Sequence, residues 1–194
     1  FMNFKKLLKI APEIYDAYYG VGLFHFWKGY MAKSLNWLSA AEGEIDKGIE
    51  LIKVSINKGK YTPIEAESSL LRVYYLLERY DESLEICKKI LIKYPEFLFC
   101  KWHLIKSLVG LKEWKRVLKE CDKFEKFFQT NADPGELAFV EINHYRCVAY
   151  YHLGEKDKAL KIGEEIVDDE NEYTSLQIFK DIKKTTKKLL KDIL

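Results

Sequence analysis

Tyr80-Asp81-Glu82-Ser83-Leu84-Glu85-Ile86-Cys87-Lys88-Lys89-Ile90 is echoed 34 residues later by Trp114-Lys115-Arg116-Val117-Leu118-Lys119-Glu120-Cys121-Asp122-Lys123-Phe124. An aromatic residue, a small or branched residue, a cysteine and a large apolar residue return at the same offsets. Self-similarity at a period of 20 to 50 residues marks stacked supersecondary units, and 34 is the period of helix–turn–helix arrays. The expected fold is therefore all-α.

Working outward, all four prolines, Pro12, Pro63, Pro95 and Pro134, fall at segment boundaries. Thr62-Pro63-Ile64-Glu65 reads as an N-cap, a proline at the first helical position and a capping-box glutamate. Asp133-Pro134-Gly135-Glu136 repeats that device, and Thr174-x-x-Gln177 is a weaker form. No useful strand alternation lies between these marks. One helix pair is expected over Pro63 to Leu77 and Glu82 to Lys93, turning at Glu78-Arg79-Tyr80-Asp81. The next covers Phe97 to Val109 and Glu113 to about Gln129, turning at Gly110-Leu111-Lys112. A third covers Pro134 to Leu153 and Lys156 to Val167, turning at Gly154-Glu155. There Ala159 takes the slot of Ser83 and Val117, after a step of 42 residues.

Upstream, Gly48 holds the small slot 35 residues before Ser83. Its pair is expected to start near Glu13 and to end near Gly59. The segment from Tyr30 to Gly43, with Met31, Leu35, Trp37 and Leu38, is expected to pack down as a short extra helix. Phe4 to Ile10 reads as the end of a preceding repeat. The chain is thus one array over residues 1–194, divided as 2–11, 13–58 with an insertion at 30–43, 63–94, 97–129, 134–168 and a last helix at 174–193. In that last helix Phe179, Ile182, Leu189, Leu190 and Ile193 form an apolar stripe. Lys180, Lys183, Lys184, Lys187, Lys188 and Lys191 cover the rest. A terminal repeat needs a polar outer face, so a capping helix is expected. An anionic membrane or an acidic partner is the sharper alternative.

Nearly half of the 194 residues are apolar, including four tryptophans, thirteen tyrosines and eleven phenylalanines, so a large core can form. The chain carries 32 basic and 30 acidic residues, which argues against a general nucleic-acid binder. Its longest uncharged run, Ala17 to Trp27, has eleven residues and is too short to span a bilayer. No secretory signal is visible behind Phe1-Met2. A soluble protein is expected, cytoplasmic, or exported if a leader precedes this stretch. Cys87, Cys100, Cys121 and Cys147 include no CxxC pair, so they read as small buried side chains and not as a zinc site or disulfide framework.

These slots resemble the tetratricopeptide repeat (TPR) family. Tyr18, Val21 and Gly22 fit its first helix, as do Leu70 with Tyr74, Leu104 with Leu108, and Tyr150. Gly48, Ser83 and Ala159 fit the small slot of its second helix, and Pro12 and Pro95 fit its closing proline. Leu71, Ile105 and Cys147 depart at the first-helix glycine, and Ile90, Phe124 and Ile166 at the last small residue. Asp16 to Trp27, Asp46-Lys47-Gly48-Ile49-Glu50 and Lys58-Gly59-Lys60-Tyr61-Thr62-x-x-Glu65-Ala66 resemble a stretch in large bacterial TPR proteins of unknown function. These are related to a eukaryotic inclusion-body-clearance group. The resemblance implies a right-handed α-solenoid of antiparallel helix pairs and a scaffold or adaptor without catalytic residues. Many of those bacterial relatives look exported.

In such an array the first helices line a concave groove. Carrying the family's groove positions over implies Tyr19, Phe26 and Trp27 from the first pair, and Arg72 and Tyr75 from the second. The third adds Trp102, His103 and Lys106, and the fourth His144, Tyr145, Tyr151 and His152. Aromatic and cationic side chains are the usual anchors of a binding hot spot. The ligand expected is a protein or peptide segment with apolar or aromatic side chains and an acidic group. Helix–helix packing is the plainer role for each aromatic residue. The family's chaperone-tail clamp needs Lys and Asn where Tyr19, Leu23, Ser69, Phe99 and His103 stand, so that partner is not expected.

No catalytic signature is present: no phosphate loop, serine elbow or Cys–His motif. His144 and His152 lie eight apart, Cys100 and His103 offer two ligands at most, and His25 has no Cys, Asp or Glu within four residues. No metal or other cofactor is expected, and no enzyme. Self-assembly through an exposed apolar end at Phe4, Leu7 and Leu8 is the main rival to peptide binding, followed by membrane-surface attachment through the last helix.

Overall fold

The protein is described by a computed structural model that covers residues 2–34, 38–131, 136–170 and 176–193. Every regular element among them is an α-helix, and no strand occurs among them, as expected. The chain divides into two compact units, Phe1–His103 and Leu104–Leu194. No helix among the described residues is long and apolar enough to cross a membrane.

The first unit contains α1 (Met2–Ile10), α2 (Asp16–Ser34), α3 (Leu38–Lys58), α4 (Pro63–Leu76), α5 (Tyr80–Lys93) and the opening turns of α6 (Leu98–Gly110). Small residues bring α2 and α3 together. A Cβ on Gly48 would lie 2.5 Å from the Phe26 nitrogen and 2.8 Å from the Gly22 carbonyl oxygen. One on Gly29 would lie 2.6 Å from the Ala41 oxygen. Gly22 and Gly29 are seven residues apart on α2, as Ala41 and Gly48 are on α3, and Gly22 meets Gly48 while Gly29 meets Ala41. The helices therefore run antiparallel with a small residue every second turn, and their backbones nearly touch. Phe26, Ile45, Ile49 and Ile52 fill the seam and join Ala66, Leu70, Val73 and Tyr74 of α4 in one core.

This seam overturns the expected short helix over residues 30–43. Instead α2 runs on to Ser34 and α3 starts at Leu38, with 35–37 outside the described residues. The close approach continues to Gly29 and Ala41, so lengthening both helices extends an existing contact. A separate short helix would have to nucleate its own first turn. The expected start of the pair near Glu13 moves to Asp16, and α3 begins at Leu38, inside the segment read as an insertion.

Asp16 ties the start of α2 to the loop before α4. Its carboxylate accepts the backbone N–H groups of Lys60 at 3.1 Å, Tyr61 at 2.8 Å and Thr62 at 2.8 Å, and the Thr62 hydroxyl at 3.0 Å. Desolvation would raise its pKa, but these hydrogen bonds outweigh it and hold the carboxyl at about 2. Helix α4 starts at Pro63 as expected, yet the capping box does not form. The Thr62 side chain makes no cap hydrogen bond because it turns to Asp16 and Ser55. The similar signals at 133–136 and Thr174 fall largely outside the described residues.

The second unit holds the rest of α6, then α7 (Trp114–Asn131), α8 (Glu136–His152), α9 (Lys156–Asp168) and α10 (Gln177–Ile193). α8 packs against α7 and α9, and α10 packs against both α8 and α9. Val140, Ile166, Phe179 and Ile182 form its core with Leu137 and Ile162. Gly163 of α9 leaves room for Leu190 of α10, whose Cδ2 lies 2.6 Å from where a Cβ would stand.

The repeat of the sequence is also a repeat of the backbone. α5, α7 and α9 start at Tyr80, Trp114 and Lys156, separated by the same 34 and 42 residues as the small slots. Ser83, Cys87, Val117, Cys121 and Ala159 are all 0% exposed, with Ile90, Phe124 and Ile166 at most 3% exposed. The turns match as well. Glu78, Lys112 and Gly154 are in the left-handed region at φ of 59°, 59° and 79°. Each turn is closed by the same two hydrogen bonds. Arg79 N donates to Tyr74 O and Glu78 N to Tyr75 O; Glu113 N donates to Leu108 O and Lys112 N to Val109 O; Glu155 N donates to Tyr150 O and Gly154 N to Tyr151 O. This is the Schellman closure of a helix C-terminus. In the turn expected at Gly110-Leu111-Lys112, Gly110 is the last residue of α6 and Lys112 adopts the left-handed conformation.

Candidate functional site

On one face of the first unit, α4 and the start of α6 build an open groove. Pro63 sets the first turn of α4, so Ile64, Ser68 and Arg72 recur at four-residue spacing along one side. With Glu65, Ser69, Phe97 and Phe99 they line a cavity of about 450 Å³. Ile64 and Phe97 also border a second cavity, of about 680 Å³, with Lys93, Tyr94, Pro95 and Glu96. The floor is thus apolar and shared, with a cation and a carboxylate at the edge of each cavity. Pro95 breaks the chain between α5 and α6, which lets Phe97 and Phe99 turn toward α4.

Arg72 is exposed and, among the described residues, makes no ion pair. The hydroxyls beside it are engaged: Ser68 donates to the Ile64 carbonyl at 2.8 Å, and Ser69 lies 2.8 Å from the Tyr19 hydroxyl. Behind Phe99, the His103 ring lies 4.4 Å from the Phe99 ring and 5.3 Å from the Tyr75 ring. Of the residues expected in a groove, Tyr19, Arg72, Tyr75 and His103 therefore gather here.

The other expected residues lie elsewhere. Phe26 is fully buried, because the glycine seam draws its backbone against α3; it is a core residue and not a groove residue. Trp27 is 39% exposed and stacks edge-on against Phe26 and Tyr30. Trp102 lies half-buried on α6. In the second unit Lys106 pairs with Glu141 at 3.1 Å, and the Tyr145 hydroxyl donates to the same carboxylate oxygen at 3.1 Å. His152 stacks face-on against Trp114 at 4.3 Å and meets Tyr151 edge-on. His144 Nδ1 lies 2.9 Å from the hydroxyl of fully buried Thr186 on α10, and burial holds its pKa down at about 4. These side chains hold α6, α7, α8 and α10 together within their own unit.

His25 finds a carboxylate across the seam that its local sequence lacks. Its Nδ1 lies 2.5 Å from Glu44, which also accepts from Lys28 at 2.9 Å. The hydrogen bonds from His25 and Lys28 hold the Glu44 carboxyl down at about 2. All four cysteines are free and buried. Burial raises the Cys121 thiol to about 12 and the Cys147 thiol to about 11, which keeps these two protonated at neutral pH, whereas the hydrogen bond with Cys87 lowers the Cys100 thiol. Among the described residues no three His, Cys, Asp or Glu side chains cluster as a metal site would require.

Sequence reasoning missed Ile64, Ser68, Tyr94 and Phe97 as groove residues. The available signal was Pro95: a break followed by Phe97 and Phe99 presents aromatic rings at a helix start. No protein-family model matches this chain, and no curated protein matches it.

Proposed function

We propose that this chain is a non-catalytic protein-recognition module, a TPR-like α-solenoid, and that its ligand is a protein segment bound over α4 and the start of α6. The supporting observation is the exposed guanidinium of Arg72, without an ion pair among the described residues, beside an apolar floor of Ile64, Phe97 and Phe99. An apolar side chain of the ligand would enter over Phe97, and a ligand carboxylate would meet Arg72. Charge-assisted bidentate pairing of that kind gives direction as well as affinity.

The test is selection of peptides from a random display library on the wild-type chain, followed by binding to Arg72→Glu and Phe99→Ala variants. Enriched peptides should carry an acidic residue near an aromatic or aliphatic one. Arg72→Glu should weaken them by at least about tenfold, since a hydrogen bond to a charged group contributes roughly 1.5–3 kcal/mol. Equal binding to wild type and both variants would refute the site.

A second reading, self-assembly through α1, is supported by Ile10 at 83% and Phe4 at 45% exposed. A monomer at all concentrations in analytical sedimentation would rule it out.

A further inference from the structure

Helix α10 concentrates the positive charge of the chain. It carries six lysines and two aspartates, while the whole chain has 32 basic and 30 acidic side chains, so outside this helix acids outnumber bases by two. At about 100° per residue, Lys180, Lys183, Lys184, Lys187, Lys188 and Lys191 fall within an arc of roughly 140°, along about 17 Å of the helix. Phe179, Ile182, Thr186 and Leu190 fall on a different arc and are buried against α8 and α9. Asp181 and Asp192 stand on the remaining flank.

The lysine face is open. Lys180, Lys184, Lys187, Lys188 and Lys191 are exposed and, among the described residues, make no ion pair. Only Lys183 is held, by the Asp169 carbonyl at 3.4 Å and over the Phe179 ring. Leu176, whose carbonyl accepts from Lys180 N, is 47% exposed at the head of the stripe.

We propose that this lysine face docks on an anionic lipid bilayer as a peripheral, purely electrostatic contact. The apolar side of α10 is committed to the core of its own unit, so the helix does not insert. Its charges are all lysines, compact point charges without the planar fork that reads a phosphate pair in nucleic acid. No aromatic side chain lies on the stripe for bases to stack on. Mobile headgroups need no fixed spacing and can gather under a convex row of ammonium groups.

The test is co-sedimentation of the full chain with phosphatidylcholine vesicles, with and without phosphatidylserine, at low salt. Binding is expected only to the phosphatidylserine vesicles and should fade as salt shortens the screening length. Removing one lysine should lower partitioning roughly fivefold, and Lys184→Gln/Lys188→Gln about thirtyfold. Lys180→Gln/Lys187→Gln serves as an independent pair should the first perturb the helix, judged by circular dichroism. Lys47→Gln/Lys88→Gln, exposed lysines of the first unit, should bind as wild type does. Equal binding to neutral vesicles, an equal loss in the control pair, or tighter binding to duplex or single-stranded nucleic acid would overturn the proposal. So would displacement by inorganic phosphate beyond that caused by chloride at the same ionic strength, which would mean a phosphate site and not a surface.

Discussion

Gly48→Ala adds one methyl group to α3 and should destabilise the protein, whereas Gly43→Ala, on the same helix, should stabilise it. Alanine is favoured over glycine in a helix interior by about 1 kcal/mol, and that gain applies at both sites. At Gly43 nothing lies within 4 Å of the new Cβ, so the gain stands alone. At Gly48 the Cβ would sit 2.5 Å from the Phe26 nitrogen, 2.8 Å from the Gly22 oxygen and 2.9 Å from the Phe26 Cα. Those atoms are backbone and cannot rotate away. Carbon contacts are comfortable at about 3.5–4 Å, so the helices must part by roughly 1 Å, and such a gap forfeits a quarter to a half of each dispersion contact along the seam. Overpacking costs about 1–3 kcal/mol, and a clash with backbone belongs at the upper end. Subtracting the propensity gain leaves a net loss near 2 kcal/mol. Urea unfolding followed by circular dichroism should therefore move the midpoint down for Gly48→Ala and up for Gly43→Ala. Equal shifts in the same direction would show that the close approach of α2 and α3 is wrong.

The remaining predictions concern pH, turns and core. The unfolded chain binds a proton at His144 near its ordinary pKa of 6.5, while the fold resists until about 4, so stability should fall as pH drops through that window. The loss is roughly 3 kcal/mol, levelling off below pH 4, and His144→Gln should flatten the curve. The lowered carboxyls of Asp16 and Glu44 add a second, lower window: their contribution is complete above about 4.5 and disappears as pH falls toward 2. Glu78→Gly and Lys112→Gly should each stabilise by about 1 kcal/mol, and Gly154→Ala should cost a similar amount, because the left-handed conformation suits glycine; thermal melts of the three variants check the signs. Phe26→Ala should cost about 3–5 kcal/mol in denaturant titration, as expected for a core aromatic, and Trp27→Ala much less.

Much of the helical order was legible because volume and period act locally. The offsets linking Tyr80, Ser83, Cys87 and Ile90 to their counterparts survive in helix starts and burial alike. What misled was chemistry with a distant partner. Thr62 reads as a helix cap, but Asp16, 46 residues away, claims its hydroxyl. The segment 30–43 reads as a separate helix because the seam between Gly29 and Ala41 exists only once α2 and α3 have met. The turn at Gly110-Leu111-Lys112 lies where it was read, but that its left-handed residue is Lys112 follows only from the two closing hydrogen bonds. The site was less legible than the fold. Arg72, Tyr75 and His103 come together, but Phe26 looks the same as Trp27 in sequence and differs only in which side of α2 meets α3. The Lys106, Tyr145 and His144 side chains could not be seen as internal ties without Glu141 and Thr186 in place.

The three matching turns are one kind of joint. Each is closed by main-chain atoms alone, and its central residue is a glutamate, a lysine or a glycine. Because the clasp is main chain, a change of side chain at the joint alters its strain by about 1 kcal/mol but removes neither hydrogen bond. The joints are thus alike where their letters differ: a glutamate, a lysine and a glycine hold one backbone shape.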